Sequence, residues 1–297
     1  MADLPYSSFY GCTADRSTDQ TTMKLYAISD LHLGHPQNRA ALLQLPEYRD
    51  DWLILAGDVG ESIAHLEFAL QILTSRFAKI LWTPGNHDLW TLPASGAVRG
   101  EAKYRQMVSL CRRYGVLTPE DPYVLWPGTN FEALLAPVFV LYDYSFHPDH
   151  VAAHDVLAWA EESGVVCADE AVLYPDPYVS RSAWCAARCQ YTETRLNQVA
   201  DGRPLIVVNH YPLRRDLAVL PRIPRFSIWC GTRRTERWLE QYSIALAVYG
   251  HLHIRQSLCR DGVRYEEVSL GYPNQWDPAR GMAGYLREID LGTTAHG

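Results

Sequence analysis

Five short apolar runs in this chain, at 24–28, 52–56, 79–82, 205–208 and 244–249, each stop at a cluster of Asp, Asn, Gly and His. Between the second and third, Ile63, Leu66, Leu70 and Leu73 recur at helical spacing, and that alternation of short apolar runs with helical patterns predicts strands joined by crossover helices. Further strands are expected at 134–142, broken near its start by Pro137, and at 263–268, with helices near 99–114, 149–164, 181–200 and 232–241. No repeat, low-complexity tract or linker composition divides the chain, so residues 23–297 read as one α/β domain in layers, with long loops gathered on the edge where the strands end. The polar stretch 1–22 reads as a flexible arm. It lacks both the apolar core of a signal peptide and the Arg-rich character of a transit peptide.

Composition narrows the function classes. Lys and Arg number 27 against 34 Asp and Glu, a net charge of -7, so no basic footprint for nucleic acid is expected, and a bound phosphate needs another source of positive charge. No run approaches the ~20 apolar residues that cross a bilayer, so no membrane partner is expected. Seven scattered cysteines fit reduced thiols and a cytoplasmic location better than a disulfide framework. Cys185 and Cys189, four apart on an expected helix, read as small buried hydrophobes rather than metal ligands.

The strand-end clusters carry the chemistry. Asp30-Leu31-His32 sets a carboxylate and an imidazole two apart, and period-two alternation would point both the same way. Gly57 lets the backbone turn so that Asp58 faces a cleft, and Gly85-Asn86-His87-Asp88 adds a neutral oxygen ligand, a proton donor or acceptor and an acid able to orient that histidine. His210 closes the fourth run, and His251 and His253 close the fifth. Asp30, His32, Asp58, Asn86, His210, His251 and His253 form an oxygen and nitrogen donor set without thiolate, too large for one ion and suited to Mn, Fe or Zn. With Asp58 as a shared carboxylate, two ions would stand about 3.5 to 4 Å apart, bind phosphate oxygens and give hydroxide from a bridging water at neutral pH. His87 is then free for acid or base work, oriented by Asp88.

With these clusters in order, the chain resembles the calcineurin-like metallophosphoesterases from about residue 24 to 268, matching all five blocks: Asp30-x-His32, Gly57-Asp58, Gly85-Asn86-His87-Asp88, His210 and Gly250-His251-x-His253. The resemblance implies a four-layer α-β-β-α sandwich of two mixed sheets flanked by helices, with the active site at strand C-terminal ends. It implies one metal on Asp30, His32, Asp58 and His253, and a second on Asp58, Asn86, His210 and His251. His87 is implied to stabilise or protonate the leaving oxygen, steered by Asp88, and Mn with Fe is the expected metal pair.

Stretches outside the blocks, among them Pro175-Asp176-Pro177-Tyr178, Trp229-Cys230-Gly231 and Gly271-Tyr272-Pro273, resemble the bacterial phosphopantetheinyl hydrolase group. That likeness implies removal of the 4′-phosphopantetheine arm from holo acyl or peptidyl carrier protein, with Trp90, Tyr142 or Trp229 as aromatic walls for the arm. A small-molecule or cyclic-nucleotide phosphodiesterase, a phosphoprotein phosphatase and a noncatalytic metal-bound scaffold are the alternative readings. An acidic carrier would be repelled by a net -7 protein, so Arg214, Arg215, Arg222 and Arg225 are expected to form a local basic patch.

Overall fold

A computed structural model describes residues 23–92, 98–128, 131–199 and 201–291; the expected arm at 1–22 lies outside the described residues. One sheet holds β1 (Leu25–Ile28), β2 (Tyr48–Leu55), β3 (Phe77–Trp82) and the short β10 (Arg287–Glu288), in the order β10-β1-β2-β3. The other runs β4 (Val124–Leu125), β5 (Leu134–Pro137), β6 (Leu205–Val208), β7 (Ile244–Tyr249), β9 (Val263–Glu267) and β8 (Ser257–Arg260). Both sheets are mixed: the central strands and the β3 edge pair in parallel, and the other three edges are antiparallel, through β1–β10, β4–β5 and β8–β9.

The central strands read as continuous apolar runs because both faces are buried. Along β2, Trp52 and Ile54 join a cluster with Ile206 and Val208 of β6 and Leu246 and Val248 of β7, which is the core between the sheets. Their neighbours Leu53, Leu55, Val207 and Ala247 turn to the opposite faces and pack under helices. The helix Ile63–Leu73 buries Leu66, Ala69, Leu70 and Leu73 there, and Ser62 caps its start by accepting from the His65 amide at 3.1 Å. The layers are therefore helix, sheet, sheet, helix, as the resemblance implied.

The helices Gly100–Arg113 and Arg181–Val199 fall where periodicity placed them. Expected strand 134–142 stops at Pro137: Val138 still donates to the Val208 carbonyl, but the Val140 amide turns to the Asn209 side chain, and 138–142 runs on as buried irregular backbone. The helix expected over 149–164 is only Val156–Glu161, and that over 232–241 is a 3-10 turn, Arg233–Thr235, then a short helix, Trp238–Gln241.

Candidate metal centre

The chain leaves β1, β2, β3, β6 and β7 at one end of the sandwich, where the seven candidate ligands gather. Asp30 (φ 53°), His32 (41°), Asp58 (53°), His251 (69°) and His253 (55°) all adopt left-handed backbone, which costs non-glycine residues about 1–3 kcal/mol each. Asp30 and His32, like His251 and His253, therefore converge through left-handed turns and not through the extended alternation that the sequence suggested. The turns are pinned from both sides: the Asp30 amide donates to the Gly57 carbonyl at 2.9 Å, and the His32 amide to that of Asp58 at 3.1 Å. Two glycines are sterically required here. A Cβ on Gly57, at φ +88°, would lie 2.7 Å from His210 Nδ1, and one on Gly85 would lie 2.0 Å from Asp58 Oδ1.

Among the described residues three groups of candidate metal-binding atoms form, Asp30 with His32 and His253, Asp58 with His210 and His251, and, between them, His32 with Asp58 and His87. His253 Nε2 stands 3.0 Å from Asp30 Oδ1 and 3.2 Å from His32 Nε2, while His210 Nε2 stands 3.3 Å from Asp58 Oδ2. Partners on the far side of each ring set which nitrogen is free. His210 Nδ1 faces the Ala56 carbonyl at 2.9 Å and His253 Nδ1 faces Gln275 Oε1 at 2.7 Å; both oxygens accept, so each Nδ1 carries a proton and each Nε2 is the nitrogen turned inward to meet a cation. Asn86 gives its amide hydrogens to Asp169 Oδ1 at 3.0 Å, which turns its carbonyl oxygen the same way. Asn86 Oδ1, His210 Nε2 and His251 Nε2 are buried with no hydrogen-bond partner among the described residues, a costly arrangement that a bound cation would resolve. These donors fit divalent metal ions.

Charge in the cup agrees. Burial opposes the Asp30 and Asp58 carboxylates, yet His253 and His210 hold Asp30, and His210 and His87 hold Asp58, below the usual carboxylate range. Burial also opposes a charged His210, but Asp58 and Asp30 outweigh it and push the ring up to about 10. His32 and His251 go down to about 3 through burial and a neighbouring imidazole, His87 and His210 respectively. Two buried carboxylates thus pull positive charge into the cup, while His32 and His251 are kept neutral.

His87 sits beside this cup, 4.0 Å by Nε2 from Asp58 Oδ2, with Trp90 stacked on it at a 3.7 Å centroid separation. Burial disfavours its charge, but Asp58 and Glu61 more than compensate and raise it above the ordinary imidazole value. The carboxylate that faces His87 Nδ1 is Glu61, at 3.5 Å, rather than the expected Asp88. Asp88 turns away and accepts from the backbone amides of Asp58, Val59, Gly60 and Gly85 at 2.9–3.3 Å, tying the second and third loops together. The reason is helical: His87 and Asp88 are successive residues of Asn86–Leu89, so their side chains diverge by about 100°.

A cleft of about 340 Å³ opens over the cup, walled by Trp90, Phe226, Leu220, Leu252 and Tyr272. Tyr272 stacks on His32 at 4.4 Å, and the Trp90 indole N–H is held by Asp169 at 2.6 Å. Of the aromatic walls expected, only Trp90 lines the cleft, because Tyr142 and Trp229 are core residues. The expected arginine patch is largely neutralised: Arg214 pairs with Asp216 and Asp261, Arg215 with Asp149, and Arg225 with Glu162. Cys185 and Cys189 are buried, as read. Glu61, Asp169 and Gln275 were missed. Each lies outside the five blocks, and only the fold brings it to the site.

The family model for calcineurin-like phosphoesterase matches residues 23–255, and the chain belongs to that family. It is 45% identical over 268 residues, 89% of this chain and 82% of the relative, to the [acyl-carrier-protein] phosphodiesterase PptH of Mycobacterium tuberculosis. The crystal structure of the phosphopantetheinyl hydrolase PptH from that organism superposes with a TM-score of 0.86 at 42% identity, covering 93% of this chain and 98% of the other. Both sheets and their flanking helices thus match a solved member at well above fold-level identity. Among the described residues, no helix is long and apolar enough to cross a membrane.

Proposed function

We propose that this protein is a dinuclear metal-dependent phosphodiester hydrolase that removes 4′-phosphopantetheine from holo acyl or peptidyl carrier protein. The observation that carries the reading is the 45% identity across nine-tenths of the chain to a relative named for that substrate class, joined to a buried cup of seven donors. Asp30, His32, Asp58 and His253 would hold one ion, and Asp58, Asn86, His210 and His251 the other; Mn with Fe suits this thiolate-free set, with Zn an alternative. When bound, such ions supply Lewis acidity toward the phosphoryl oxygens and a water-derived nucleophile near neutral pH.

The chain's own residues do the rest. A water oxygen adds to phosphorus, the bond from phosphorus to the serine oxygen breaks, and that oxygen takes up a proton, giving apo carrier and free 4′-phosphopantetheine. His87 holds the proton at Nε2, toward the cup, while Glu61 at Nδ1 favours the charged ring. Trp90 packs on the other face of His87 and fixes the plane of the ring. Asp169, by gripping Asn86 and Trp90 together, sets the ligand and that wall in one register. The phosphopantetheine arm lies along Trp90, Phe226 and Tyr272. We assign the reaction to the cytoplasm, in keeping with six described cysteines that are free thiols.

The test is the intact mass of a holo acyl carrier protein after incubation with protein loaded with Mn²⁺ and Fe²⁺. Loss of the arm, absent with Asp58→Asn, supports the reading. An unchanged carrier, with an aryl phosphodiester cleaved in parallel, discards the carrier and keeps a diesterase of small molecules.

A further inference from the structure

The cleft over the metal cup is not rimmed like its interior. Two loops from distant parts of the chain meet at its mouth: Val166 and Ile223 line the same opening, yet 73% of Val166 and 44% of Ile223 stay exposed. Val219, on the second loop, is 60% exposed. The inner wall behaves differently, with Leu252 buried and Phe226 packed against Trp229 at 5.4 Å. A thread-like substrate arm lying in the cleft can cover Phe226 and Trp90, but not aliphatic side chains that stand outward from the rim. Covering those requires a broad surface that arrives together with the reacting phosphodiester.

Charge along the loop that carries Ile223 is equally selective. Arg225 is tied to Glu162, and Arg214 and Arg215 are tied to aspartates. Between Val219 and Ile223 stands Arg222, exposed and, among the described residues, with no hydrogen-bond or ion-pair partner. On a chain of net charge -7, one free guanidinium set among exposed aliphatics offers a single point of attraction to an acidic group next to an apolar one.

We infer that Val166, Val219, Arg222 and Ile223 form the docking lip for the protein half of the substrate. An apolar patch beside the modified serine rests on the three aliphatics, and a carboxylate of the same protein meets Arg222. This rests on the carrier-protein reading above and assigns it a surface distinct from the catalytic cup. Encounter with the folded carrier is thereby separated from recognition of the arm, which belongs to the cleft interior.

Three substrates separate these roles: bis(p-nitrophenyl) phosphate, which needs only the cup; a short peptide with a phosphopantetheinyl serine, which adds the arm; and the intact holo acyl carrier protein, which adds the folded surface. Val166→Asp, Ile223→Asp and Arg222→Glu are each compared with the unmodified protein. The expected result is a fall of roughly tenfold or more in kcat/KM on the holo carrier, carried mainly by KM, with the aryl diester and the peptide within about twofold. Arg222→Lys, which keeps the charge, restores most of the loss. An equal fall on the peptide would mean that these residues grip the arm, and an unchanged rate on the holo carrier would mean that they touch nothing; either overturns the lip. A folding defect shows as loss on all three substrates, and Val166→Ser, polar but small, then reads the same selectivity. If the unmodified protein releases no arm from the holo carrier but cleaves the aryl diester, the carrier reading itself fails, a different outcome from an indifferent lip.

Discussion

The floor and the rim of the cleft are built on opposite principles. On the floor, Asp30, Asp58, Asn86 and His210 are buried; Asp30 and Asp58 sit in strained left-handed backbone, and Asn86 and His210 are anchored by Asp169 and the Ala56 carbonyl. Asp30 Oδ2 alone accepts from the Ser29 and Ser269 hydroxyls at 2.5 and 2.7 Å and from the His251 amide at 3.0 Å. On the rim, Val166, Val219 and Ile223 are exposed and Arg222 is, among the described residues, without a partner. Donor positions that must hold to fractions of an ångström are over-determined, whereas the surface that meets a second molecule is left open. Substitutions on the floor should therefore damage reaction with every substrate, and those on the rim should sort substrates from one another.

The largest effect is expected from metal removal or from Asp58→Asn, which strips the carboxylate proposed to serve both ions. Hydrolysis of both aryl diester and holo carrier should fall to background, with metal retention measured alongside. Activity kept by the chelated protein would break the division between floor and rim at once. His87→Ala comes next, with a loss of about 10²–10⁴-fold on the holo carrier, whose serine leaving oxygen needs a proton. The loss should be much smaller on a p-nitrophenyl ester, whose leaving group does not. Equal losses on both would take the proton away from His87.

Gln275→Ala should lower metal affinity by about 10–100-fold, since it frees the His253 ring, with little effect on kcat at saturating metal. Asp88→Ala leaves four buried amides without an acceptor. It should cost about 2–5 kcal/mol of stability by denaturant titration, because buried groups stripped of their partner carry the desolvation penalty. A variant with wild-type stability and a selective loss of rate would return Asp88 to the role expected from sequence. The smallest effect belongs to Lys103, buried and donating to the carbonyls of Glu61 and Trp90. Burial lowers it to about 8, so the folded state loses this proton before the unfolded chain does, and stability relative to Lys103→Met should rise as pH climbs from about 8 toward 10.5.

Sequence carried the set of candidate donors that the fold gathers because each donor ends an apolar run, and an apolar run buried on both faces has few alternatives to a central strand. Sheet edges were less legible. β4 and β10 are two residues each, too short for any period, and β8, with Ser257, Cys259 and Arg260 exposed, has no apolar face to read. At the site, adjacency misled: Asp88 follows His87 in sequence, yet a helical turn parts their side chains, and Glu61 reaches His87 from the start of a different helix. The pair Asp30 and His32 was found through a correct spacing and an incorrect geometry, since left-handed backbone leaves no mark in residue types beyond the tolerance of Asp and His for it. Tyr142 and Trp229 show a related limit. An aromatic near a motif reads the same whether it lines a cleft or fills a core.

The central claim is that the buried strand ends hold two metal ions. It is tested most directly by crystals of Mn-loaded protein with diffraction measured at a wavelength where Mn scatters anomalously. The account predicts two anomalous peaks sharing Asp58, one among Asp30, His32 and His253 and the other among Asn86, His210 and His251. A single peak, or peaks away from these residues, would contradict it.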